Sequence, residues 1–96
     1  MFFTVQVGVY SKPASKKQLF YVTDLITKKL PNGQIRYSCG MFSSIAAAEP
    51  KRDEAIKKGV TQAYITAYYK GERITIYEAN ELLRLNGDSI LEKLEK

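Results

Sequence analysis

Three stretches of this chain alternate apolar and polar residues with a period of two. That alternation is the strongest constraint on its fold, because it demands a sheet with one face turned inward. In Phe2 to Val9, the residues Phe3, Val5, Val7 and Val9 fall on one side, and Thr4, Gln6 and Gly8 on the other. In Ile35 to Phe42, the residues Ile35, Tyr37, Cys39 and Met41 oppose Arg36, Ser38 and Gly40. In Gln62 to Tyr69, the residues Ala63, Ile65 and Ala67 oppose Tyr64, Thr66 and Tyr68.

Between these strands lie turn and helix signals. Ser15 to Thr23 predicts a short helix with Leu19 and Val22 facing inward, and Leu25 to Leu30 a further strand. Pro31-Asn32-Gly33-Gln34 predicts a hairpin, because Asn-Gly accepts the positive φ angles of a type I′ turn. Ser43 or Ser44 caps a helix running to Lys58 and stopped by Gly59, with Ile45, Ala48, Ala55 and Ile56 at helical spacing. Pro50 lacks an N–H and clashes with the preceding turn, which predicts a kink or a helix that begins there. Lys70-Gly71 turns the chain. Thr75-Ile76-Tyr77-Glu78 has the form of a capping box, with Ile74 and Ala79 spaced for a hydrophobic staple. The helix it starts should stop at Gly87, and a last short helix from Asp88 or Ser89 should carry Leu91 and Leu94.

The order is β-α-β-β-α-β followed by helices. It predicts an α+β fold of the ferredoxin-like or RNP-like kind: a four-stranded antiparallel sheet, helices on one face, and an added C-terminal helical segment. With 96 residues there is room for one domain. Residues 1–73 would form it, and 74–96 a helical extension packed on or beside it.

The residue types argue against catalysis. There is no histidine, hence no usual general base and no commonest metal ligand. Cys39 falls on an apolar strand face with no imidazole to activate it. No phosphate-binding loop is present. We therefore expect no enzyme activity, no cofactor and no metal. No segment is long and apolar enough to insert in a membrane. The start Met1-Phe2-Phe3 lacks the regions of a signal peptide, so the expected setting is cytoplasmic for a complete chain, or periplasmic for a domain of a longer exported protein.

What remains is a binding surface. Strands one and three should be central, bringing together Thr4, Gln6 and Gly8, then Arg36, Ser38 and Gly40, then Tyr64, Thr66 and Tyr68 on the uncovered face. The two glycines would leave bare backbone for a flat ligand. Gln6 and Ser38 would supply polar groups, Tyr64 and Tyr68 stacking rings, and Arg36 a cation for an anion. The structural alternatives are that glycine only relieves crowding and that the tyrosines pack under the C-terminal helix. There is also an internal echo: Gln6, Gly8 and Tyr10 match Ser38, Gly40 and Phe42 in spacing.

These motifs carry a resemblance. Phe3-Thr4-Val5-Gln6-Val7-Gly8-Val9-Tyr10 resembles the first-strand signature of the SPOR (sporulation-related) domain, an apolar-Gln-apolar-Gly-small-aromatic run. Ile35-Arg36-Tyr37-Ser38-Cys39-Gly40-Met41-Phe42 resembles its second signature, and the Asn-Gly hairpin and the Tyr-Tyr-Lys-Gly end look like variants of Bacteroidetes-type bacteria. The resemblance covers about Phe3 to Arg73. It implies non-catalytic binding of peptidoglycan glycan strands stripped of stem peptides, anchoring a larger envelope protein at the division septum. It places the site on the open sheet face, with Gln6 central and Arg36 and Ser38 beside it. Met41 stands where the family often has proline, Pro50 interrupts the second helix, and 74–96 has no counterpart. Stripped strands expose lactyl carboxylates, and a net charge of +5 suits such a polyanion. RNA binding is the rival on the same architecture. It is disfavoured because the central positions Gln6, Gly8, Ser38 and Gly40 are not aromatic. A protein-interaction or structural module is the third reading, with no protein partner identified.

Overall fold

A computed structural model describes residues 1–91. The elements are β1 (Phe2–Tyr10), β2 (Leu25–Lys29), β3 (Ile35–Phe42), α1 (Ile45–Lys58), β4 (Tyr64–Tyr69), β5 (Glu72–Ile74) and α2 (Ile76–Asn86), then a 3-10 turn at Gly87–Ile90. All pairings are antiparallel and the sheet order is β2-β3-β1-β4-β5. The fold is α+β, with β1 and β3 inside the sheet as expected. The sheet has five strands rather than four. The fifth arises because Lys70 (φ 51°) and Gly71 (φ 82°) form a two-residue turn with positive φ at both positions, which returns the chain beside β4.

The first expected helix does not form. Ser15 to Gln18 is a capped turn: the Gln18 N–H donates to Ser15 Oγ (3.1 Å) and the Ser15 N–H to Gln18 Oε1 (2.8 Å). The chain then leaves the helical region, with Phe20 (φ 53°) and Tyr21 (φ 57°) left-handed. Aromatic and β-branched residues from Leu19 to Thr23 are poor propagators, so one turn is nucleated and not extended. Leu19 and Val22 are nonetheless buried, as their spacing predicted.

Pro50 neither begins nor breaks α1, which runs from Ser44, whose hydroxyl accepts from Ala47 N–H, to Gly59. Pro50 removes the bond to the carbonyl of Ala46, and both residues are exposed, so that carbonyl faces solvent. Ile56 is exposed, not inward. The hairpin after β2 is not type I′. Pro31 holds its own φ negative, so the chain turns around Pro31-Asn32, and Gly33 alone takes a positive φ of 87°. The Gly33 N–H donates to Leu30 O at 2.9 Å.

The core lies on one sheet face. Val5, Cys39 and Ala63 meet Ala48 and Ala55 of α1, while Phe3 and Ala67 meet Ala79 of α2. Phe42 and Ile65 touch both groups, so both helices share that face. The Thr75–Glu78 capping box is formed, and Ile74 and Ala79 belong to the α2 cluster. The tyrosines therefore do not pack under α2. Leu94 lies outside the described residues.

The opposite face is concave. Lys28 on β2 donates to the carbonyl of Gly71, in the β4–β5 turn, at 3.3 Å. In a flat sheet those strands would sit about 14 Å apart, beyond the reach of a lysine. The sheet must curl toward this side.

Candidate functional site

The curl decides which side chains a ligand could meet. Gln6 sits between Ser38 of β3 and Tyr64 of β4. Arg36 reaches across β1, and its Nη1 donates to Tyr68 Oη at 3.0 Å. Tyr68 stacks on its partner Phe2, with centroids 5.4 Å apart and planes at 17°. Tyr64 is the most exposed of the expected residues, at 43%, and Arg73 of β5 lies 5.6 Å from its ring centroid while donating to its hydroxyl.

Others of the expected set are buried by the curvature itself. Ser38 and Thr66 are 3% exposed and Tyr68 8%. Thr66 spends its hydroxyl on Ile74 O at 3.3 Å, so its role is structural. Ser38 and Tyr68 still line a cavity of about 190 Å³, shared with Phe2, Thr4, Ile26 and Lys28 among others.

Gly8 and Gly40 do not form a bare backbone patch. Each sits at a register shift where one strand carries an extra residue against its neighbour. After the first shift Gly8 pairs with Tyr37, whose side chain is buried, and Val9 pairs with Arg36. Gly8 has thus rolled to the core side, and Val9, expected inward, is exposed. Gly40 has φ 76°, the bulge conformation open to glycine. A Cβ at Gly8 would lie 2.8 Å from the Tyr10 ring, and one at Gly40 would run into the Phe42 ring. The glycines give room to aromatic rings two residues on. The echo between β1 and β3 is this repeated packing device. Thr4, fully buried, donates its hydroxyl to the carbonyls of Cys39 (3.1 Å) and Gly40 (2.6 Å) and so pins the second bulge.

Among the described residues, the concave face is electrostatically one-signed. It carries Lys28, Arg36 and Arg73, while the carboxylates within ion-pair distance of a cation, among the described residues, serve Lys51, Arg52 and Arg84. Two buried polar atoms there lack any hydrogen-bond partner among the described residues: Gln6 Oε1 and Arg36 Nε. Orphaned buried groups of this kind are uncommon and mark places where a ligand or water completes the bonding. Cys39 lies on the other face, where burial pushes its thiol up to about 11, which keeps it protonated and inert. Asp24 is tied to Lys51, which also holds Glu54 at 2.9 Å. Lys51 is raised in pKa: burial opposes its charge most strongly, but its bonds to Glu54 and Asp24 together outweigh that.

Phe2, Ile26, Lys28 and Arg73 were missed by sequence reasoning. Phe2 shares parity with Thr4 and Gln6, and Ile26 and Lys28 follow once the hairpin register is set against Ser38 and Arg36. Arg73 had no signal without β5. No protein-family model matches the chain, and no curated protein and no solved structure matches it significantly.

Proposed function

We propose that this domain binds an anionic glycan on its concave sheet face, and that the ligand is the peptidoglycan strand stripped of stem peptides. One observation carries the reading: among the described residues, three cations without carboxylate partners share that face with exposed and stacked aromatic rings and the orphaned Gln6 Oε1. Sugar rings stack on aromatic faces, sugar hydroxyls complete groups such as Gln6 Oε1, and carboxylates pair with Arg36, Lys28 or Arg73. The SPOR resemblance of β1 and β3 names the polymer, and would make the chain an anchor for a larger envelope protein. The contact set narrows to Gln6, Arg36, Tyr64, Lys28 and Arg73 on this face, of which Lys28 also lines the cavity. Gly8, Gly40 and Thr66 shape the sheet.

The test is retention on purified sacculi with and without amidase treatment, at low and high salt. Gln6→Ala should lose roughly 0.5–1.5 kcal/mol per bond with little salt dependence. Arg36→Ala should lose a share that salt erodes. Thermal melts control for folding. Equal binding to treated and untreated sacculi would remove the stripped strand as the ligand.

A further inference from the structure

The loop between β1 and β2 offers a second surface, on another side of the molecule. Its ends are fixed. Val22 is buried in the cluster under α1, and Lys51 donates to Thr23 Oγ1 at 2.9 Å. Phe20 lies over Gly59, where an added Cβ would come within 2.6 Å of its ring, and Lys58 Nζ donates to Tyr21 O at 3.3 Å. The loop is thereby strapped to the C-terminal end of α1.

Two consecutive aromatics crown this strap. Phe20 is 45% exposed and Tyr21 63%, and both are left-handed, a conformation rare for bulky residues. Such backbone persists only where the surroundings hold it, and it clusters at functional sites. The capped Ser15–Gln18 turn and the α1 contacts hold it here. The loop also carries Lys12, Lys16 and Lys17, and the end of α1 that it is strapped to carries Lys57 and Lys58, all exposed and none in an ion pair among the described residues. From residue 1 to 23 the chain has no carboxylate; Asp24, next in sequence, and Glu54 of α1 are both held by Lys51, and Asp53 by Arg52.

We propose that this strap is a docking surface for an anionic phospholipid bilayer, with Phe20 and Tyr21 entering the headgroup region and the lysines pairing with lipid phosphates. Aromatic rings prefer the membrane–water interface, and each surface lysine adds attraction to anionic lipid. No described helix is long and apolar enough to cross a membrane, so the contact is interfacial. The strap packs with α1 on the helix-covered side, away from the concave face, so the two surfaces can be occupied together.

Co-sedimentation of the intact chain with phosphatidylglycerol-containing vesicles and with pure phosphatidylcholine vesicles tests this. Asparagine tolerates the left-handed region, so Tyr21→Asn removes the ring and keeps the backbone. Binding should favour anionic vesicles, fall several-fold in Tyr21→Asn, and fall by at least about tenfold in Lys16→Glu/Lys17→Glu with an unchanged melting temperature. Arg36→Ala should bind vesicles as the wild type does, and Tyr21→Asn should still bind sacculi, so this proposal and the glycan reading fail separately. Equal binding to both vesicle types, or no loss in Tyr21→Asn, would overturn it. So would binding of single-stranded RNA or heparin, but not vesicles, through the same residues.

Discussion

The two faces of the sheet are buried to nearly the same degree by different means. On the helix side, Phe3, Val5, Cys39 and Ala67 are 0–1% exposed because α1 and α2 cover them. On the concave side, Thr4, Ser38 and Thr66 are 0–3% exposed with no described helix over them. Curvature buries them, and backbone carbonyls satisfy Thr4 and Thr66. The helix side spends its residues on apolar packing. The concave side keeps polar and charged groups at its rim, and two orphaned atoms inside it. A sheet can thus hold a dry core on one side and a shaped, cationic hollow on the other without any added layer.

That contrast is broken most severely on the helix side. Phe3→Ala should cost about 3–5 kcal/mol, through lost burial and the cavity left between α2 and β4. Chemical denaturation reads it. A loss below about 1 kcal/mol, the scale of a surface change, would mean that α2 does not seal this face.

The two bulges sharpen the comparison next. At Gly40 a side chain meets both a left-handed backbone and the Phe42 ring, so Gly40→Ala should cost about 1–3 kcal/mol. At Gly8 no positive φ is involved, and only the Tyr10 ring must move, so Gly8→Ala should cost less than half as much. Comparable losses at both would show that the bulge at Gly8 is as rigid as that at Gly40, and the concave face would then be fixed from both central strands.

Tyr64 should give the smallest stability effect. It is well exposed, so Tyr64→Ala should stay within about 0.5 kcal/mol of the wild type. Its effect belongs in retention on amidase-treated sacculi, which should drop several-fold with the loss of a stacking ring. An unaltered retention would confine the ligand to the Lys28 side of the hollow.

Much of this was legible locally. The alternation in β4 and in β1 and β3 outside their bulges, the Thr75–Glu78 box, the Gly59 and Gly87 stops and the burial of Leu19 and Val22 all depend on residues a few positions apart, and all are found. The concave site was legible in part. Parity put Gln6, Arg36, Ser38, Tyr64, Thr66 and Tyr68 on one face, and they share it. Parity failed at Gly8 and Val9, and at Met41, expected inward but exposed beyond the Gly40 bulge, because a bulge is a mismatch between two strands and neither strand alone records it. It also could not show that Ser38, Thr66 and Tyr68 would be shielded.

Short-range chemistry, then, was set by the chain itself: where strands alternate, where helices are capped, which residues carry charge, and the absence of histidine. Tertiary structure alone decided the fifth strand, the two bulges, the side on which α2 packs, and the curl that brings Lys28 to Gly71. Each of these depends on register and closure between segments distant in sequence. Their energies come from contacts that exist only once the strands have met.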